Sequence, residues 1–213
     1  DFNALLGNGE TILNKLTTFS LQYSNGNGAF NTTVQALHEM EKVKGVDLVW
    51  SVQLDTVSRK KPLLLMNPEN KRHYVFTQDE SNTLYLIDEA GNIEWKKRIA
   101  EPVTGDFHLV DANKNGDAEL LFNTASQLYL LDMNGNNYGN FPIRLPSQAT
   151  NGITVADFDH SGTEKILVAC QNKMIYAYEI NGKPMSGWSF SQPVTDVTLP
   201  VLPVSSKEKD YLL

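Results

Sequence analysis

The chain has little of what most catalytic or membrane-bound architectures need. Of its 213 residues only Cys170 is a cysteine, so no internal disulfide can form. Cys170 lies in the apolar run ILVAC and reads as a small buried hydrophobe rather than a nucleophile. No run approaches the ~18 consecutive apolar residues of a membrane span. Positive charge is also scarce. The formal net charge is -7 and the pI near 5.1, which excludes the basic face of a nucleic-acid binder. Lys60-Lys61 and Lys96-Lys97-Arg98 are short runs and read as solvated strand faces. There is no G-x-S-x-G elbow, P-loop or dinucleotide fingerprint. His38, His73, His108 and His160 are scattered without ligand spacing, as expected of solvated or hydrogen-bonded side chains. Asp79-Glu80 and Glu89 are candidates for a glycosidase-type carboxylate pair, but they fall in predicted turns, where charge is expected anyway. The sequence therefore predicts a non-catalytic chain.

What the chain does have is a repeat. LYLID (84–88), LYLLD (128–132) and IYAYE (175–179) each run from an aliphatic residue through Tyr85, Tyr129 or Tyr176 to a closing carboxylate, followed by Gly91, Gly135 or Gly182. The tyrosines are 44 and 47 residues apart, near the period of four-stranded propeller blades. Trp50, Trp95, Phe141 and Trp188 form a second series, spaced by 45, 46 and 47 residues. Between the two series lie predicted inner strands at 62–66, 107–111, 153–157 and 197–201, each followed by a second strand: HYVF, AELLF, EKILVA and DYLL. Three inner triplets and four outer strands result. The expected fold is all-β, a partial β-propeller of about three and a half four-stranded blades over 46–213.

Residues 1–45 do not match these units. A short helix is weakly indicated among Leu5, Leu6, Ile12, Leu13 and Leu16. Phe19, Leu21 and Tyr23, then Phe30, Thr32, Val34 and Ala36, alternate with polar residues around SNGNG, as in a hairpin. This segment is read as the end of an upstream domain whose sheet extends before Asp1, with 38–45 as a charged connector. Propellers close with ~4 to 8 blades. The remaining blades are accordingly expected from chain beyond Leu213; the alternative is an open fan whose strand edges need a partner. A β-sandwich is the rival fold, but it does not explain a repeat of Tyr, Gly and Trp in fixed order.

The sharpest chemical pattern is DANKNGDAE. Asp111, Asn113, Asn115, Asp117 and Glu119 hold positions 1, 3, 5, 7 and 9, with Gly116 at position 6. Calcium takes ~6 to 8 oxygens, and odd positions of a tight loop turn inward together where glycine permits the bend; position 7 would contribute its backbone carbonyl. The loop has no bidentate glutamate at position 12. It is equally readable as a polar turn between strands, built from Asn and Asp for their tolerance of left-handed geometry. The next unit repeats it as DFDHSGTEK, with Asp157, Asp159, Ser161 and Gly162 in step but Lys165 in place of Glu119. An ammonium there repels a divalent ion, so this loop is expected to be metal-free. A single calcium, if bound at 111–119, is expected to fasten strands rather than catalyse.

DANKNGDAE resembles the loops of integrin-type calcium-binding propeller blades. Over 46–213 the aliphatic-Tyr-aliphatic strand, Gly and Trp resemble quinoprotein-type and outer-membrane-assembly lipoprotein propellers. TLYLIDEAGNIEWKKRI and LPSQATN make the chain similar to the C-terminal part of a family of large Bacteroidota envelope proteins of unknown function. That resemblance implies a periplasm-facing protein, anchored upstream, with no assigned activity. A quinone-dependent dehydrogenase would be expected to carry a vicinal cysteine pair, which Cys170 alone does not supply. Two functions are therefore expected to compete. One is a scaffold for protein partners; the other is a carbohydrate-binding or carbohydrate-acting module, which needs Tyr85, Tyr129, Tyr176, Trp95 and Trp188 exposed along one groove.

Overall fold

The computed structural model describes residues 16–26, 29–38, 47–158, 160–189, 195–205 and 210–213. The indicated helix before Leu16 and the connector at 39–45 lie outside these residues, as does Asp159. Every regular element among the described residues is a strand. In chain order they are β1 (Leu16–Gly26), β2 (Ala29–His38) and β3 (Asp47–Gln53); β4 (Leu63–Met66), β5 (His73–Gln78), β6 (Thr83–Asp88) and β7 (Ile93–Arg98); β8 (Val103–Val110), β9 (Glu119–Thr124), β10 (Gln127–Leu131) and β11 (Ile143–Arg144); β12 (Thr154–Ala156), β13 (Lys165–Ala169) and β14 (Ile175–Glu179); then β15 (Pro203–Ser205) and β16 (Asp210–Leu212). They pair antiparallel with their sequence neighbours into five small sheets. The fold is all-β, a partial β-propeller.

The expected inner triplets are all present, as β4–β6, β8–β10 and β12–β14. Two details differ from expectation. First, the hairpin β1–β2 finds its third strand within this chain: β2 pairs with β3 from Thr33↔Gln53 to His38↔Asp47. The expected boundary at 45/46 thus falls between two neighbours of one sheet. Second, 197–201 is not a strand; β15 begins at Pro203 instead. Pro200 has no N–H to give a ladder, and the carbonyls of Val197 and Val201 accept the hydroxyls of Thr150 and Thr154. The outer series also weakens along the chain. β3 has seven residues and β11 two, and among the described residues the Trp188 segment shows the isolated bridge Tyr178↔Pro184.

The chain divides into two compact units after Ala100. In the first, every residue of β5 and β6 is buried. Their sheet packs against β3 through Trp50, Leu54, Val75, Tyr85 and Ile87. Trp50 lies over the β6–β7 turn, where Gly91 (φ 87°) leaves so little room that a Cβ would come 3.0 Å from the indole. Gly91→Ala is therefore expected to combine left-handed strain with a displaced tryptophan and cost ~1–3 kcal/mol in a urea melt. A loss within error would mean the indole moves freely.

In the second unit the period of two is legible in the packing. Ile166, Val168 and Cys170 join Leu121, Leu128, Leu130 and Phe141 on one side of β13, while Leu167 and Ala169 join Ile175, Ala177 and Val201 on the other. The central strand β13 is thus buried on both faces, the packing that stacked blades require. Cys170 is 1% exposed, and burial pushes its thiol up to about 11, in keeping with an unreactive core residue.

Candidate functional site

The acidic loop joins β8 to β9. Two left-handed residues shape it, Lys114 (φ 57°) and Gly116 (φ 88°). Asp111 organises it: Oδ1 accepts the Asn115 N–H at 3.0 Å and Oδ2 the Gly116 N–H at 2.9 Å. Asn115 Oδ1 accepts the Asp117 N–H at 3.0 Å, and Asn115 Nδ2 donates to Asp117 Oδ2 at 2.6 Å. Glu119 turns back so that Oε2 accepts the Ala112 N–H at 2.9 Å. Asn113 is exposed. The loop therefore brings Asp111, Asn115 and Asp117 into one hydrogen-bonded turn, with Glu119 closing it from β9. No group of three or more His, Cys, Asp or Glu side chains is set to hold a metal among the described residues.

Electrostatics mark the loop nonetheless. Glu119 is 2% exposed. Burial pushes its carboxyl up, and Asp111, Asp117 and Asp132 push it further, against the hydrogen bond from Ala112. Three carboxylates thus act on a fourth that is buried, and their oxygens are the hard donors that calcium prefers. The donor chemistry fits the ion.

The equivalent loop between β12 and β13 repeats these hydrogen bonds and left-handed positions at its described residues. Asp157 Oδ1 accepts the Ser161 N–H at 2.9 Å and Oδ2 the Gly162 N–H at 2.9 Å, with His160 (φ 54°) and Gly162 (φ 75°) left-handed. The two loops touch: Lys114 Nζ donates to the Gly162 carbonyl at 2.6 Å. The Lys165 ammonium, 3% exposed, donates to Ser161 Oγ at 2.8 Å and to the carbonyl and hydroxyl of Thr163, and pairs with Glu179 Oε2 at 3.5 Å.

The closing carboxylates of the repeat have a structural task. Asp88 Oδ1 accepts the N–H groups of Ala90 and Asn92, and Asp132 Oδ1 those of Asn134 and Asn136. Each caps its own turn, with Asn92 or Asn136 Nδ2 bonded to Oδ2. The candidate glycosidase pair is likewise accounted for. Asp79 is 3% exposed and accepts five hydrogen bonds, whereas Glu80 pairs at the surface with Arg59 at 2.8 Å. Glu89 accepts the His73 N–H at 3.4 Å.

His73 departs from expectation: it is 4% exposed, and neither ring nitrogen has a hydrogen-bond partner. It opens β5, with Nδ1 4.0 Å from Glu89 Oε2.

The recurring aromatics are buried or half-buried, each within its own unit. Tyr85 and Tyr129 are buried, Tyr129 stacked on Phe122 at 5.1 Å. Trp95 packs on Phe76 and Trp188 on Phe158, each at 5.7 Å, and Trp188 Nε1 donates to the Ile175 carbonyl. Half-buried Tyr176 accepts a bond from Asn172 Nδ2 at 2.7 Å.

No protein-family model matches the chain, and no curated protein matches its sequence. Several solved structures are similar to it. BBS1N, in a mercury-soaked crystal of its complex with ARL6DN, gives a TM-score of 0.54 at 12% identity over 89% of this chain and 59% of that one. BamB from Moraxella catarrhalis gives 0.47 at 13% identity over 76% and 47%, and a protein of unknown function from Bacteroides caccae 0.39 at 11% over 88% and 68%. The chain thus spans less than two thirds of the BBS1N chain. The likeness to BBS1N is one of fold, and it agrees with the sheet order described above.

Proposed function

We propose that this chain is a propeller-type scaffold for a protein partner, part of a Bacteroidota-type envelope protein, with one structural calcium in loop 111–119. The observation that carries the partner reading is the apolar surface around β15–β16. Tyr211 on β16 is 50% exposed, and beside the strands Leu199 and Leu213 are each 74% and Leu202 58% exposed; among the described residues this sheet has two strands where the β4–β7 and β8–β11 sheets have four. An exposed apolar surface beside an open strand edge fits a protein that adds strands to it. BBS1N, of similar fold, was crystallised with ARL6DN bound, and this lends the reading an analogy. Of the five aromatics a saccharide platform would need, Tyr85 and Tyr129 are buried. A photo-crosslinking residue at Tyr211 is expected to capture a protein in cell-envelope extracts, whereas one at Asn134 is not. Equal capture at both positions, or none, would sink the scaffold reading.

For calcium, the support is the convergence of Asp111, Asp117 and Asp132 on buried Glu119. Asp111, Asn113, Asn115, Glu119 and the carbonyl of Asp117 would hold the ion, which would neutralise this charge and tie β8 to β9. Calorimetric titration of chelator-treated protein is expected to give one site, lost in Asn113→Ala and Asp111→Ala. No heat, or unchanged heat in both variants, removes calcium from the account.

A further inference from the structure

At their described residues the two loops share hydrogen bonds and left-handed positions but end differently, and the difference falls at position 9. In loops of this class the position-5 side chain and the position-7 carbonyl face the cation. In 157–165 those groups are Ser161 Oγ and the Thr163 carbonyl, and Lys165 Nζ donates to them at 2.8 and 3.1 Å. The Thr163 hydroxyl and Glu179 Oε2 also lie around it. We infer that the Lys165 ammonium is a tethered cation, standing where a calcium ion would stand, and that the residue at position 9 decides whether such a loop takes a metal.

The chemistry is consistent at each step. An ammonium has three donors and no acceptor, so it can satisfy several converging oxygens only by pointing all three N–H bonds inward. Burial at 3% exposure is tolerable because the charge is paired and hydrogen-bonded. The sister loop places a carboxylate at the same position, which contributes charge of the opposite sign and leaves the cation to be supplied from solution. The inference does not require calcium to bind at 111–119, since it concerns what fills the other loop.

The experiment is a calcium titration by calorimetry of the full chain and of Lys165→Glu, with thermal melts of both and of Lys165→Gln in chelator and in calcium. Lys165→Glu is expected to bind one more calcium than the wild type, whatever the wild-type number. A wild-type number of zero counts only against the calcium at 111–119. Lys165→Gln, which keeps polarity but loses the charge, is expected to melt lower than wild type in chelator, with calcium narrowing the gap. If Lys165→Glu folds and gains no site, the tethered-cation assignment is overturned. If Lys165→Glu does not fold, Lys165→Gln decides: a gap that calcium leaves unchanged, or no gap at all, overturns it equally.

Discussion

Gly105→Ala is expected to be among the most damaging single substitutions in the chain, costing at least ~3 kcal/mol in urea unfolding. Gly105 sits at the irregularity of β8 with φ 74°, and a Cβ there would lie 2.3 Å from the Cα of Gly152. The obstacle is backbone, which no rotamer change relieves. The segment carrying Gly152 cannot retreat cheaply, because Asn123 clamps it: Nδ2 donates to the Asn151 carbonyl at 3.1 Å, and Oδ1 accepts the Ile153 N–H at 3.0 Å. Gly152→Ala meets the same wall from the other side, its Cβ 2.6 Å from the Gly105 Cα. The double variant is expected to cost less than the two losses added, since one separation accommodates both methyl groups. Strict additivity, or a single-variant loss under 1 kcal/mol, would contradict this close approach.

Asp79→Ala is expected to cost ~3–5 kcal/mol, because it strands several buried donors at once. Oδ1 accepts the Ser81 and Thr83 N–H groups and the Ser81 hydroxyl; Oδ2 accepts the Thr56 N–H and the Tyr85 hydroxyl at 2.9 Å. Tyr85 in turn accepts the Asp55 N–H at 3.1 Å, so one carboxylate ties the chain after β3 to the β5–β6 turn. Burial pushes the Asp79 carboxyl up, but the hydrogen bonds outweigh it and hold it below the usual carboxylate range. The sign follows from that depression. The stabilisation is complete above the unfolded-state value of about 4 and is lost as pH falls through the folded value. Melts of wild type and Asp79→Asn are therefore expected to differ most near neutral pH and to converge below about pH 4. A difference that grows on acidification would rule out this role.

Much of the fold was legible in the sequence because its buried strands are short apolar runs closed by turn residues. LYLID, LYLLD and IYAYE each fall on a third strand, and the strands before them fall where the period places them. The pairing of β2 with β3 was hidden, since nothing in the alternation of 19–36 names its neighbour. The run 197–201 misled because apolar content does not reveal that its carbonyls serve Thr150 and, on β12, Thr154. In the acidic loop, residue types and spacing gave the turn correctly, while the contact from Lys114 to the sister loop depends on tertiary placement. Asp79 read as a solvated turn residue; the alternation of Asp79, Ser81 and Thr83, all engaged in one Asx-type turn, was the available signal.

The fit of an indole or phenyl ring over a glycine recurs at a fixed offset. Trp50 meets Gly91, and Phe141 with Ile143 meets Gly182, 41 residues on in both cases. On a ribosome each ring would emerge well before the glycine that receives it, so an outer strand stays uncovered for the synthesis of roughly one more repeat and is then sealed. Such short-range closure favours stepwise maturation from the N-terminus, one hairpin pair after another, over a late collapse of the whole polypeptide.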